Sequence, residues 1–198
     1  MGLTLDFDSG QTPLDPQEIE GLRLPFITTQ GELNELEQLN IEEAMRWTIH
    51  RNMKPDVLFS EKFLKALHKR MYGDVWKWAG DFRHTNKNIG VGHHEVPVQL
   101  RSLLDDAMYW YENHTFVPDE LAIRFKHRLV SIHCFANGNG RHSRLMADLV
   151  VEKLYKTAPF TWGAASLQKA TDARANYMVA LKAADAGAIE MLVAFARS

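Results

Sequence analysis

Residues 131–144 read Ser-Ile-His-Cys-Phe-Ala-Asn-Gly-Asn-Gly-Arg-His-Ser-Arg, and our prediction of the fold starts from this stretch. Apolar residues recur at a spacing of three or four both before it, over 121–132, and after it, over 145–154. This spacing is typical of one face of an α-helix. We therefore expect a loop that leads from the end of one helix directly into the start of the next.

The glycine-rich part of the stretch, Gly138-Asn139-Gly140, lies where the second helix is expected to begin. Glycine lets the backbone turn several N–H groups into one concavity, where the helix dipole also favours an anion. Arg141 and Arg144 follow three residues apart, so both project from the same side of the first helical turn. Because cations at a helix N-terminus oppose the dipole, a ligand with several phosphate groups would explain them.

His133 is the side chain of this loop that can accept a proton near neutral pH. Cys134 follows it, but adjacent side chains at a helix end diverge, so we interpret Cys134 as a small buried hydrophobic residue and not as a nucleophile. Cys134 is also the one cysteine of the sequence, so it can form no disulfide within the chain. A reducing, cytoplasmic setting is therefore expected.

The stretch resembles the signature of the Fic (Fido) family, H-x-F-x-(D/E)-G-N-G-R-x-x-R, at every fixed position but one. The matching residues are His133, Phe135, Gly138, Asn139, Gly140, Arg141 and Arg144. The departure is Asn137, which stands where the family usually has the acidic residue that holds magnesium. A second, weaker similarity to the family is the Trp-Ala-Gly-x-x-Arg segment from Trp78 to Arg83.

The resemblance implies a protein adenylyltransferase, which transfers AMP from ATP, with Mg²⁺, to a hydroxyl side chain of a target protein. In that case His133 would deprotonate the attacking hydroxyl, and Gly138–Gly140 would cradle the phosphates. Arg141 and Arg144 would hold the β- and γ-phosphates. The resemblance also implies an aromatic residue near the adenine, and Tyr177 is a candidate, although core packing explains Tyr177 equally well.

Other functions stay open on the sequence alone. Fic-type relatives also transfer other groups, such as UMP or phosphate, or remove AMP from modified proteins. Asn137 offers an amide oxygen, which is a poorer ligand for Mg²⁺ than a carboxylate, so an inactive nucleotide-binding module is a further alternative. The similarity to Fic proteins associated with mobile elements suggests a toxin-like or regulatory role.

A segment ahead of the core has two interpretations. Thr29-Gln30-Gly31-Glu32 has the pattern of a capping box at the start of a long helix. The same residues, from Thr28 to Glu32, resemble an inhibitory motif of some Fic proteins, whose glutamate pairs with the second signature arginine. This second interpretation implies that Glu32 reaches Arg144 and makes the protein autoinhibited.

Residues 89–98, Ile-Gly-Val-Gly-His-His-Glu-Val-Pro-Val, are the best candidate for a β-hairpin, because β-branched residues lie on both sides of a glycine-rich bend. The resemblance implies that this hairpin is a flap that pairs with an extended segment of the target. The predicted target-positioning residues are Ile89, Gly90, Val91, Gly92 and His93.

The remaining periodicity predicts helices beginning after Ser60, over 99–113, from Pro118, over 167–184 and over 188–196. Residues 1–27 are expected to form an extended arm with one short turn. We therefore predict an all-α fold, a Fic-type helical bundle with a small hairpin flap. Its expected domains are an N-terminal arm and helix, 1–54, which packs on a Fic core domain, 55–198.

Composition excludes several classes of protein. The 198 residues are 45% hydrophobic, which is enough for a buried core. A net charge of −2 and the lack of a basic stripe make a nucleic-acid partner unlikely, and no apolar run predicts a membrane span. The expected partners are a nucleotide and a protein substrate, and a homo-oligomer is left open.

Overall fold

A computed structural model describes residues 13–164 and 170–198, and the side chains of 170–174 are not described. Its helices are α1 (Pro16–Ile19), α2 (Gln30–Ile49), α3 (Pro55–Leu58), α4 (Glu61–Tyr72), α5 (Val96–Glu112), α6 (Pro118–Ile132), α7 (Asn139–Leu149), α8 (Ala170–Asp185) and α9 (Glu190–Arg197). A 3₁₀ turn, His93–Glu95, precedes α5, and a π-helical segment, Val150–Leu154, extends α7. The all-α prediction is confirmed.

The pair α6 and α7 forms the centre of the molecule, joined by the loop that the sequence singled out. Leu121, Phe125 and Leu129 face inward from α6, and Leu145 and Leu149 do so from α7, as their spacing predicted. Helices α5 and α9 pack on α6, and α4 packs on α7. The signature loop is therefore held on several sides by buried helix faces.

Helix α2 packs against α4 and brings one more face towards the signature loop. Its predicted capping box is present: the Thr29 hydroxyl accepts from the Glu32 N–H at 3.3 Å, and the Glu32 carboxylate accepts from the Thr29 N–H at 3.1 Å. Such a cap satisfies N–H groups that have no partner within the helix. The buried stripe of α2 includes Leu33, Ile41 and, unusually, Glu37.

The predicted β-hairpin over 89–98 is wrong. Residues 89–92 form a bend, and Val96, Pro97 and Val98 begin α5, which runs from Val96 to Glu112 and not over 99–113. Proline suits the first turn of a helix because its missing N–H would have no partner there. The Glu95 carboxylate accepts from the Gly92 N–H at 2.8 Å, which closes the preceding turn. Local helix-start signals thus outweigh the β-branched valines.

The chain ends of the structure differ from the predictions in smaller ways. The arm over 13–27 contains α1 and one antiparallel bridge between Leu22 and Trp76, while 1–12 lie outside the described residues. The predicted start of the eighth helix at 167 also lies outside them, and α8 ends at Asp185. Among the described helices, none combines the length and the apolar character that crossing a membrane would require.

Candidate active site

His133 ends α6 in a left-handed backbone conformation, with φ 58° and ψ 62°. This conformation is uncommon for a residue with a Cβ atom and is a frequent feature of functional sites. The residue is 4% exposed, and its N–H still donates to the Leu129 carbonyl at 3.3 Å. The turn therefore directs the imidazole away from the axis of α6 and towards the signature loop.

Arg83, from the Trp-Ala-Gly-x-x-Arg segment, holds this turn in place. Its Nε donates to the His133 carbonyl at 2.6 Å, and Nη1 donates to the Thr85 carbonyl at 2.8 Å. Nη2 donates to the Val91 carbonyl. The Arg83 backbone N–H also donates to the Cys134 carbonyl at 3.0 Å. One buried guanidinium thus ties the loop of His133 to the segment that follows Thr85.

The environment of His133 keeps its imidazole neutral. Burial lowers the pKa of His133 to about 4, and the positive charges of Arg83 and Lys87 act in the same direction. Its Nδ1 is buried and the ring interacts with the backbone of Val130, so Nε2 is the nitrogen that can face a ligand. A neutral imidazole with an accessible nitrogen can accept a proton at physiological pH.

Tyr72 and Asn139 determine the shape of the glycine loop, Gly138-Asn139-Gly140. Gly138 has φ 78°, and a Cβ there would lie 2.5 Å from the Tyr72 ring. Asn139 clamps Phe135: its Oδ1 accepts from the Phe135 N–H at 2.9 Å, and its Nδ2 donates to the Phe135 carbonyl at 2.8 Å. Since α7 begins at Asn139, the first N–H groups of this helix are available to an anion.

A buried histidine supports the same loop from α4. The Gly80 N–H donates to His68 Nδ1 at 3.0 Å, so the ring proton lies on Nε2, which is 3.0 Å from the Asn137 carbonyl. The His68 ring also stacks on Phe135, with 3.7 Å between ring centres. Burial holds the pKa of His68 well below its usual value. This neutral ring fixes the loop one residue before Gly138.

Arg141 is paired with a carboxylate from α2. Its Nη2 lies 2.6 Å from Glu37 Oε2, and Glu37 Oε1 accepts from the Trp76 indole N–H at 2.7 Å. Glu37 is only 5% exposed. The Arg141 guanidinium also lies 5.1 Å from the centre of the Tyr72 ring. The acid that reaches the signature arginines is therefore Glu37 and not the predicted Glu32.

Glu32 instead lies in the cap of α2. Its carboxylate accepts from the backbone N–H groups of Thr28 and Thr29 at 3.0 and 3.1 Å. Arg144 has other neighbours: its guanidinium lies 4.3 Å from the centre of the Tyr177 ring and 5.5 Å from that of Trp162. Of the two interpretations of Glu32, the structure matches the helix cap and does not bring this residue to Arg144.

A cavity of about 610 Å³ collects most of the predicted site residues. It is lined by, among others, Leu14, Glu37, Ile89, His133, Asn137, Gly138, Asn139, Gly140, Arg141, Arg144 and Tyr177. An imidazole, a glycine-rich helix start and two guanidinium groups thus face one space. This combination can hold a polyphosphate beside a proton acceptor.

The predicted flap residues lie at one edge of this cavity. Ile89 lines the cavity, and Gly90, with φ 97°, lies so close to His133 that a Cβ on Gly90 would be 2.6 Å from His133 Cβ. The Val91 N–H faces the Ile132 carbonyl at 3.4 Å. His93 points elsewhere, with its N–H donating to Asn86 Oδ1 at 2.9 Å. The segment contacts the site as a bend and not as a hairpin.

The described residues do not form a magnesium site by themselves. Asn137 Oδ1 accepts from the Gly138 N–H at 2.5 Å, and of the described carboxylates that line the cavity, Glu37 pairs with Arg141 and Asp185 with His127. The part of the chain that the structure describes contains no group of three or more acidic, histidine or cysteine ligands. Mg²⁺ prefers several oxygen ligands, so we derive no step through this ion.

Sequence analysis missed Glu37 and Lys126 and did not assign a role to Arg83. Glu37 could have been found, because it occupies an inward position between Leu33 and Ile41 on α2, where an unpaired acid would be costly. Arg83 ends the segment that the sequence singled out. Lys126 could also have been found, because it lies four residues after Ala122 and three before Leu129, beside the buried face of α6.

Comparison with known proteins supports the resemblance. Residues 58–151 match the Fic/DOC family. The chain is 29% identical over 119 residues to "Protein adenylyltransferase Fic" of Drosophila grimshawi and 27% identical over 119 residues to the protein of that name from Aedes aegypti. Each match covers 58% of this chain and 24% of the relative. The chain thus matches about a quarter of the length of these relatives.

Solved structures share the fold. Fic-1 from C. elegans superposes with a TM-score of 0.68 at 24% identity, over 90% of this chain and 51% of that one. The N-terminal Fic domain of Bep8 from Bartonella sp. 1-1C superposes with a TM-score of 0.67 at 14% identity, over 89% of this chain and 94% of that one. These similarities extend the shared architecture well beyond the signature helices.

Proposed function

Because residues 58–151 form a Fic domain, we propose that this chain is a protein adenylyltransferase that transfers AMP from ATP to a hydroxyl side chain of a target protein. The observation that carries the proposal is the neutral imidazole of His133 at one cavity with Arg141 and Arg144. The name of the relatives, protein adenylyltransferase, supports the same chemistry.

In the proposed reaction, His133 Nε2 accepts the proton of the target hydroxyl as its oxygen attacks the α-phosphorus of ATP. The new bond joins that oxygen to AMP, and the bond between the α-phosphorus and the oxygen bridging to the β-phosphate breaks. Pyrophosphate leaves with the bonding electron pair. The N–H groups at the start of α7, with Arg141 and Arg144, would stabilise the charge that develops on the departing phosphates.

The pair between Glu37 and Arg141 supports autoinhibition. A carboxylate 2.6 Å from the arginine occupies the guanidinium group that would otherwise bind phosphate. It also adds a negative charge beside the position proposed for the triphosphate. We therefore propose that ATP binds productively when Glu37 moves away, and that Glu37 carries the inhibitory role that the sequence motif suggested for Glu32.

The test uses purified protein with α-³²P-ATP and, separately, γ-³²P-ATP in a lysate of the source organism. Label from the α-position alone, lost in His133→Ala, is the expected result. Label from the γ-position would instead indicate phosphate transfer. Parallel incubation with labelled UTP tests UMP transfer, and release of AMP from modified protein tests hydrolytic removal of AMP.

Asn137 favours one second candidate, a nucleotide-binding module without turnover, since the loop lacks the usual acid at this position. Such a module would bind ATP, tolerate His133→Ala in its cellular role, and transfer no label from either position. The same labelling experiment, combined with a direct measurement of ATP binding, separates it from the enzyme.

A further inference from the structure

Lys126 is a buried amine that the proposed reaction does not use. It lies in the middle of α6, is 0% exposed, and donates from Nζ to the Tyr177 hydroxyl at 2.6 Å. Burying a lysine is costly unless it is paired or neutral. Within the described part of the chain Lys126 has no ion pair, because the neighbouring Asp185 pairs with His127 at 2.7 Å.

Tyr177 connects Lys126 to the cavity. The Arg144 guanidinium lies 4.3 Å from the centre of the Tyr177 ring, and Lys126 Nζ lies 4.7 Å from the same centre. A single phenol ring therefore touches two basic side chains, of which one, Arg144, lines the cavity.

The charge of Arg144 disfavours a proton on Lys126 in this buried setting. Burial and, to a smaller extent, the charge of Arg144 lower the pKa of Lys126 to about 7, and the charge of Asp185 opposes them. The charged and titratable described groups that face Lys126 are Arg144 of α7 and Tyr177 and Asp185 of α8, with His127 beside Asp185. Helix α9 contributes the apolar ring of Phe195, which packs on Tyr177. An anion placed at Arg144 would reduce this effect of its charge.

We propose that Lys126 is a positioning residue for the polyphosphate, an inference that rests on the proposed function. Through Tyr177, Lys126 holds Arg144 at the cavity. Lys126 also binds a proton when a polyphosphate occupies the site. The proton follows from electrostatics, because negative charge nearby favours the charged form of an amine. Lys126 itself touches no ligand in this arrangement.

This role differs from a purely structural one in its dependence on phosphate number. Replacing a lysine that only packs against Tyr177 would change the affinities for AMP and for ATP to the same extent. A lysine that positions Arg144 affects ligands whose distal phosphates reach that guanidinium, and leaves AMP unaffected. Proton uptake on binding is a second property that packing alone would not produce.

The experiment is isothermal titration calorimetry at pH 7.5 in HEPES and in Tris, two buffers with different ionisation enthalpies. Ligands are ATP, AMP and inorganic tripolyphosphate. The reference protein carries Glu37→Gln, which releases Arg141. Lys126→Met and Tyr177→Phe are compared in that background. Lys153→Met is the matched control, because Lys153 is also buried but contacts Glu152 and the Ile49 carbonyl, away from the cavity.

We expect Lys126→Met to weaken the binding of ATP and of tripolyphosphate about tenfold, the effect of losing one hydrogen bond between Arg144 and a charged phosphate, and to leave AMP affinity within about twofold. Tyr177→Phe should also weaken the binding of ATP and of tripolyphosphate. The reference protein should take up more protons on ATP binding than Lys126→Met does. Lys153→Met should match the reference protein.

Unchanged ATP affinity and unchanged proton uptake in folded Lys126→Met would overturn the inference. A loss of AMP affinity equal to the loss of ATP affinity would also overturn it. If Lys126→Met does not fold, polyphosphate binding at the reference level in Tyr177→Phe overturns it instead. Binding of tripolyphosphate without binding of ATP would overturn the proposed function, while the inference is then judged on tripolyphosphate. A reference protein that binds neither ligand overturns both.

Discussion

His133 combines two features at the scale of a single residue, a left-handed backbone and a pKa of about 4. Because that pKa is lowered and not raised, the imidazole is unprotonated across the neutral range. An unperturbed histidine would still be partly protonated near pH 6.5. We therefore expect the acid limit of the proposed reaction to be set by burial and by the charges of Arg83 and Lys87.

The first prediction concerns the pH dependence of AMP transfer. We expect kcat at saturating ATP in the Glu37→Gln background to stay level from pH 8 down to about 5.5 and to fall only as the pH approaches the His133 pKa of about 4. His133→Ala should lower the rate by about 10² to 10⁴. The measurement is initial rates of α-label transfer in buffers of constant ionic strength. A fall centred on pH 6.5 would contradict the role of burial.

The second prediction concerns Asn137. Replacing it with aspartate adds a carboxylate beside Gly138, and carboxylates are stronger Mg²⁺ ligands than amides. We expect Asn137→Asp to increase turnover and to lower the Mg²⁺ concentration that gives half the maximal rate. Titration of MgCl₂ at fixed ATP measures both. A decrease in turnover would argue against a magnesium role at this position, and Asn88→Asp, at another position that lines the cavity, is the control.

Sequence patterns predicted the residues of the loop better than their partners. His133, the glycines and both arginines could be placed because helix periodicity and fixed spacing determine where a loop begins. The partner of Arg141 could not, because it comes from α2, over one hundred positions away, and such a contact depends on tertiary packing. Glu32 matches a local sequence motif and caps α2, whereas Glu37 is brought to Arg141 by the packing of α2 in the folded protein.

At the scale of elements, α2 has two separate tasks. Its first turn is closed by Thr29 and Glu32, and its buried stripe presents Glu37 to Arg141. These tasks lie in different turns of one helix. Substitutions can therefore separate the stability of the helix from its effect on the cavity.

The third prediction follows from this separation. Glu37→Gln keeps an acceptor for the Trp76 indole but removes the charge that holds Arg141, so we expect ATP affinity and the rate of AMP transfer to rise about tenfold, within the range of allosteric coupling energies. Equilibrium binding of ATP and initial rates measure this.

Two further variants of α2 serve as controls. Glu42→Gln changes a surface acid that pairs with Arg46 and should leave activity unchanged. Glu32→Gly should lower the free energy of unfolding through loss of the cap without raising activity. Activation by Glu32→Gly, with no activation by Glu37→Gln, would reverse the assignment.

The segment before α5 shows why one element was misread. Val96 and Val98 favour a strand by propensity, but Pro97 and the turn closed by Glu95 favour a helix start. Strand propensity largely reflects packing against neighbouring strands, and the described residues 89–95 have no such neighbour. The helix periodicity of 100–112 was correct, so the error lay in where the element begins.

At the scale of the whole molecule, several buried histidines link stability to pH. Burial lowers the pKa of His133 and of His142 to about 4, and that of His68 well below its usual value. Each folded-state pKa lies below the unfolded value near 6.5, so the unfolded chain binds more protons between these limits. Stability contributed by these groups is therefore present above pH 6.5 and is lost as the pH falls towards 4.

The fourth prediction is that the free energy of unfolding decreases as the pH is lowered from 7 to 4.5. Each extra proton bound by the unfolded chain contributes about 1.4 kcal/mol per pH unit. Asp148 opposes this, because burial raises its pKa to about 6, but it is one group against three. Urea denaturation at several pH values measures the slope.

The matched control for this prediction replaces a histidine outside the core. His94 is exposed, so His94→Gln should leave the slope unchanged, whereas His142→Gln should reduce it. A flat profile in the parent protein would show that the three rings are protonated without cost to the fold.

The hydrogen bonds of Arg83 have a consequence for how such a protein could acquire new targets. The guanidinium donates hydrogen bonds to the main-chain carbonyls of His133, Thr85 and Val91, and no side chain of the bend before α5 takes part in them. Gly90 is the exception, because a Cβ there would lie 2.6 Å from His133 Cβ. Apart from Gly90, the side chains along the cavity edge take no part in the hydrogen bonds by which Arg83 positions His133. Substitutions at these other positions of the cavity edge, whether evolved or engineered, could therefore change target recognition while the His133 imidazole keeps its position.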